Sequence, residues 1–229
     1  MVPPELYSHR LVSGGGFAHA PTKAVCVGQN YAAHARELGN TVPDEPLLFI
    51  KPLTAMRGFG ETLSLATRFG SHHYETEMTL LIGDALCRAT PHEARAAVAG
   101  VGVGLDLTRR ELQTELRGRG HPWERCKGFD GACVLSPFAP CDQSLDLQDR
   151  RLRLWRNGEL VQDGHTADMV FSAAALLADI SHTFTLLPGD VVMTGTPEGV
   201  GPLAPGDWLE ASLEGLVWAS TRVVAQEDP

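Results

Sequence analysis

The apolar stretches of this chain are short, and glycine or proline punctuates them. KAVCVG (residues 23–28), LLFIKP (47–52) and VGVGLDL (101–107) run for six or seven residues each, the length of buried strands rather than of ordinary helices. LLPGDVVMTGTPEGVG (186–201) and LAPGDWLEASL (203–213) both open near a Pro-Gly-Asp turn and continue into a strand. With 24 glycines and 15 prolines in 229 residues, long helices are interrupted before they can form.

Four stretches carry helical signals. Asn30 is a suitable N-cap for two turns over residues 31–38, and Gly39 stands where a left-handed C-terminal residue belongs. PHEARAAVAG (91–100) opens with proline in its first turn. Thr108 and Glu111 have the spacing of a capping box for the helix that follows, so Asp106 falls at a strand end just before it. Apolar residues at 169, 170, 173, 176, 177 and 180 repeat with helical period. The mix predicts an α+β fold, rich in β, with a few short helices and no regular βαβ alternation. Residues 1–20, Gly-rich at 14–16, are expected to form a loose lead-in to a single domain over 21–229. Gly100, Gly102 and Gly104 fall short of a dinucleotide-binding loop because position 105 is Leu, and Asp106 would meet the pyrophosphate; they are expected to permit close packing in a strand.

A net charge of -9 argues against nucleic acid or an anionic membrane surface as partner, while leaving a small anion open where local cations reverse the field. The five cysteines are scattered and form no C-x-x-C pair, which argues against a disulfide framework or structural zinc and points to a reducing cytoplasm. Cys126 and Cys133 are nucleophile candidates by type, but inert buried thiols are the commoner case and the expectation here. The N-terminus lacks the features of a signal peptide, and no apolar run reaches the length of a membrane span, so a soluble, unprocessed protein is expected.

HHYETEMTLLIG (72–83) carries Glu75 and Glu77 on one face of a strand. They mark either the wet face of a half-buried strand or two ligands of a hard cation, which Asp106 would complete from a distant segment. His34 and Glu37, at i and i+3, form either a solvated pair or a carboxylate-oriented general base. TGTPEGVG (194–201) is an ordinary turn or a holder of a carboxylate through backbone N–H groups and the Thr196 hydroxyl. Lys127 is either a surface lysine or a cation beside that ligand.

In order, GQNYAAHARELG, LLFIKP, HHYETEMTLLIG, GVGLDLTRRELQ, HPWERCKGFD and GDVVMTGTPEGVGPL make the chain resemble the fumarylacetoacetate hydrolase family over roughly residues 22–225, especially its short members that act on acylpyruvates. The resemblance implies the fold of that family's C-terminal domain, a mixed β-sheet roll. It implies Mg²⁺ or Mn²⁺ on Glu75, Glu77 and Asp106. His34, Glu37 and Lys127 become the catalytic residues, and Gln113, Gly195, Thr196 and Lys51 the substrate-binding ones, Lys51 in a supporting role. The implied enzyme is a homodimeric hydrolase, of the kind used in aromatic catabolism, that cleaves 2,4-dioxo acids such as acylpyruvate or fumarylpyruvate to pyruvate and a carboxylic acid through an enolate. The same site would serve an oxaloacetate decarboxylase or tautomerase, a 2-hydroxyhepta-2,4-diene-1,7-dioate isomerase, or a metal-binding protein without turnover. Relatives commonly carry His directly before the first glutamate; here Tyr74 stands there, which the resemblance would connect with substrate choice.

Overall fold

The computed structural model describes residues 6–226. Its centre is an eight-stranded mixed sheet. In spatial order the strands are Leu47–Pro52, Lys23–Gly28, Val191–Met193, Thr76–Ile82, Val98–Asp106, Cys133–Leu135 and Met56–Gly58, and Ala139–Pro140 also pairs with Val98–Asp106. A five-stranded sheet follows the order Glu159–His165, Arg151–Arg156, Trp208–Leu213, Val217–Ala225 and Leu63–Leu65. A third sheet joins Gly201–Pro202, His72–Tyr74 and Thr108–Arg109. The helices are short: α1 (Ala32–Glu37), α2 (Pro91–Ala96), α3 (Arg110–Gly118), α4 (Glu124–Lys127) and α5 (Ala173–Thr183). The fold is the β-rich α+β roll that the sequence predicts.

Every residue of Thr76–Ile82 is buried, on both faces. The wet-face reading of this strand is therefore excluded, and Leu80, Leu81 and Ile82 each contribute about 2 kcal/mol of apolar transfer free energy to the core. The glycines of Val98–Asp106 do allow close packing. A Cβ at Gly104 would lie 2.8 Å from both Thr79 Cγ2 and the Val134 carbonyl oxygen, so only glycine fits between these neighbours.

Three local expectations need correction. Asn30 does not cap α1, whose N-cap is Tyr31 with no side-chain bond. The Asn30 amide is fully buried and must find partners on all sides; it donates to the Thr194 and Phe171 carbonyls at 2.8 and 3.1 Å and accepts from the Phe171 N–H at 2.8 Å. Thr108 and Glu111 form no capping box: Arg109 is the N-cap of α3, and Glu111 is drawn to the Ser71 hydroxyl and N–H at 2.7 and 3.1 Å. A capping box does open α2, between Thr90 and Glu93. The helical period at 169–180 starts too early, since α5 begins after its cap Ser172. The lead-in is also less loose than expected where it is described. His9 is buried with a ring nitrogen 2.7 Å from the Gly189 carbonyl, and Leu11 bridges to Phe138.

Candidate active site

Strand register assembles the acidic cluster. Antiparallel pairing sets Thr76 opposite Leu105 and Glu77 opposite Gly104, and the Asp106 N–H donates to the Glu75 carbonyl at 2.8 Å. One oxygen from each of Glu75, Glu77 and Asp106 lies within 4.8 Å of the others, and all three residues are buried.

Three cations surround this cluster. Lys127 Nζ spends its three N–H groups on Asp106 Oδ2 at 2.6 Å, the Thr108 hydroxyl at 2.7 Å and Glu75 Oε2 at 2.8 Å. Lys51, wholly buried, lies 2.7 Å from Asp106 Oδ1 and donates to the Lys127 carbonyl. Arg110 reaches Glu75 with Nη2 and Gln113 Oε1 with Nη1, the latter at 2.5 Å. Burial alone would raise the Glu75 pKa, but Lys127 and Arg110 overcome it and hold the carboxyl well below the usual range. Burial also acts against the charged form of Lys127, yet Asp106 and Glu75 hold its pKa above that of a free lysine. Glu77 goes the other way. Burial, then Asp106 and Glu75, push its carboxyl well above the ordinary value, although the Gly195 N–H donates to Oε2 at 2.7 Å.

These residues fit a hard divalent cation. The donors are oxygens from three carboxylates, the set that Mg²⁺ and Mn²⁺ favour. Asp106 Oδ1 accepts no hydrogen bond, because Lys51 approaches it as an ion pair outside hydrogen-bond alignment, and so keeps a lone pair for a ligand bond. Like charge on Glu77 and its neighbours is the repulsion that such an ion relieves.

A small, open cleft of about 40 Å³ lies over the cluster. His34, Gln113, Lys127 and Thr196 line it with Glu75 and Glu77, and Leu47, Phe49 and Trp123 form an apolar wall. His34 is buried, with Nδ1 2.9 Å from Glu37 Oε2. A carboxylate only accepts, so Nδ1 carries the hydrogen, and in the neutral ring Nε2 is then the acceptor. The other Glu37 oxygen accepts from the Gly199 N–H at 3.0 Å, tying α1 to the turn after Val191–Met193. The parallel register of Lys23–Gly28 with Val191–Met193 brings the two segments side by side. In that turn Gly195 has φ +97°, and its N–H is committed to Glu77. The Thr196 hydroxyl accepts from Gln162 Nε2 at 2.9 Å.

A family model described as fumarylacetoacetate (FAA) hydrolase, C-terminal, matches residues 23–224. The chain belongs to the fumarylacetoacetate hydrolase family. An oxaloacetate tautomerase of Escherichia coli K12 is 46% identical over 92% of this chain and 96% of its own length. The mitochondrial oxaloacetate tautomerase of Homo sapiens is 39% identical, covering 89% of this chain and 92% of that protein. Among solved structures, a fumarylpyruvate hydrolase from Pseudomonas aeruginosa in complex with Mn²⁺ and pyruvate superposes with a TM-score of 0.90 at 36% identity, covering 99% of both chains.

Two residues sit differently from what the family pattern suggested. Lys51 is wholly buried, pairs with Asp106 and is not among the residues that line the cleft. Tyr74 alternates with Glu75 along the chain and packs against Gly201, away from the cleft lining. Arg110 and Gln162 escaped the sequence reading, and Thr108, which the sequence suggests only as a helix cap, is instead a partner of Lys127. Arg110 lies one turn before Gln113 on the same helix face, which is the one signal that could have found it.

Proposed function

We propose that this chain is a divalent-cation-dependent enzyme of 2-keto acids whose principal reaction is the interconversion of the enol and keto forms of oxaloacetate. The observation that carries this reading is the His34–Glu37 contact in the cleft of the acidic cluster, which leaves Nε2 as a proton acceptor. The 46% identity to an oxaloacetate tautomerase supports it. Tautomerisation takes a proton from the enol oxygen at C2 and delivers one to C3, with no carbon–carbon bond broken. His34 holds and returns the proton, and Glu37 fixes its tautomer and steadies the imidazolium. Lys127 supplies fixed positive charge for the oxygen at C2. A cation on Glu75, Glu77 and Asp106 supplies Lewis acidity toward the substrate's carboxylate and 2-oxo oxygens. Phe49 and Trp123 give the cleft an apolar wall that would limit water beside a bound substrate.

Hydrolysis of a fumarylpyruvate-type substrate, the main expectation from the sequence, becomes the second reading. The same His34–Glu37 pair can direct water, and the 36% identical fumarylpyruvate hydrolase supports it. The two separate in one assay with Mg²⁺ or Mn²⁺. A tautomerase accelerates the loss of enol absorbance from oxaloacetate and releases no pyruvate from fumarylpyruvate or acetylpyruvate. His34→Ala is expected to slow that loss by at least about 100-fold. Pyruvate release from either dioxo acid, without enol turnover, would give hydrolysis first place.

A further inference from the structure

Helix α3 turns one stripe toward the cleft. Arg110, Gln113 and Arg117 stand at i, i+3 and i+7, a spacing that keeps them on one helix face, and all three line the cleft with Glu75, Glu77 and Lys127. The cations nearest the acidic cluster are already committed: Arg110 to Glu75 and Gln113, Lys127 to Glu75, Asp106 and Thr108. Arg117 is held differently. Its Nη2 donates at 2.6 Å to the neutral side-chain oxygen of Asn40, another cleft residue, and among the described residues no carboxylate pairs with it. A guanidinium has five N–H groups in a planar fork suited to a carboxylate, so donors remain for a ligand. By helical rise Arg117 stands about 10 Å farther along α3 than the residue that touches Glu75.

We propose that Arg117 is a specificity determinant that binds the distal carboxylate of a keto-dicarboxylic acid whose keto-acid head lies at the acidic cluster. Asn40 is its positioning residue: the amide oxygen holds the guanidinium over the cleft, and the contact links the segment after α1 to α3. The inference rests on the keto-acid reading of the head group and is independent of which reaction follows. A surface arginine with no such role would leave ligand preference untouched.

The test is calorimetric titration of the Mg²⁺-supplied protein with 2-oxoglutarate and 2-oxopentanoate, which share a head and a chain length and differ in the distal carboxylate. The wild type is expected to prefer the dianion by about tenfold or more, the value of one charge-assisted contact. Arg117→Met should bring the ratio of the two Kd values close to one by weakening the dianion alone. Arg117→Lys should keep part of the preference, and Asn40→Ala should fall between wild type and Arg117→Met. An unchanged ratio in Arg117→Met, or an equal loss for both ligands in a variant with unaltered melting, overturns the proposal. Failure of the wild type to bind either ligand overturns the keto-acid premise and the proposal with it. A ratio that depends on Arg117 in a protein that does not tautomerise oxaloacetate upholds the proposal and removes only the functional reading above.

Discussion

Without a cation in the cluster, Glu77 must keep a proton or stand ionised beside Asp106 and Glu75, and burial with these neighbours raises its pKa well above the ordinary 4.5. A carboxyl raised on folding contributes stability below its unfolded pKa and loses it as pH rises through the folded value. Glu77→Gln, which keeps the neutral form, is therefore expected to raise the Tm of chelator-treated protein at pH 8 while abolishing Mn²⁺-dependent stabilisation, both read by scanning calorimetry. Glu75 has the opposite sign. Lys127 and Arg110 depress its pKa against the effect of burial, so its contribution is present above about 4.5 and lost as pH falls below that. Glu75→Gln should lower the Tm under the same conditions, because buried Lys127 and half-buried Arg110 each lose a charged partner. The residues that chemistry restricts by type and spacing were legible in the sequence: Glu75 with Glu77, His34 with Glu37, Asp106 at a strand end. The residues that satisfy them were not. Arg110 meets Glu75 across 35 positions and Gln162 meets the Thr76 N–H across 86, distances at which no local pattern survives.

At the scale of elements, the strand Val98–Asp106 is tuned as much by its glycines as by its carboxylate. Gly104→Ala sets a Cβ against the Val134 carbonyl oxygen and Thr79, and should destabilise by about 1–3 kcal/mol in urea titration and weaken Mn²⁺ binding, since Glu77 is its register partner. Thr90→Ala, at the cap of α2, should cost about 1 kcal/mol and leave Mn²⁺ affinity alone. The sequence showed where strands and helices would fall better than it showed their ends. Asn30 and Glu111 have the right residue types to cap, yet the backbone of Thr194 and Phe171 and the hydroxyl of Ser71 offered stronger partners. The hairpin Arg151–Arg156 to Glu159–His165 went unread, although Asn157-Gly158 is a strong turn signal and both residues take positive φ.

At the scale of the whole molecule, the groups that meet in the cleft come from segments as far apart in the chain as Val27 and Thr196, so cation binding reports on the intact fold. At about 100 times its Kd, Mn²⁺ should add roughly 2.7 kcal/mol and raise the Tm by roughly 5–10 °C, and chelation should reverse the shift. No described helix is long and apolar enough to cross a membrane. The burial of Lys51 and Lys127 has a further consequence for handling the protein. The chain has three lysines; two are buried beside Asp106, and the third, Lys23, is ion-paired with Asp190 at 2.5 Å. Among the three lysines, amine-directed reagents on native protein will find Lys23 first, since it alone is partly exposed. Slow labelling of Lys51 or Lys127, followed by mass spectrometry, then serves as a clock for transient opening of the structure around Asp106.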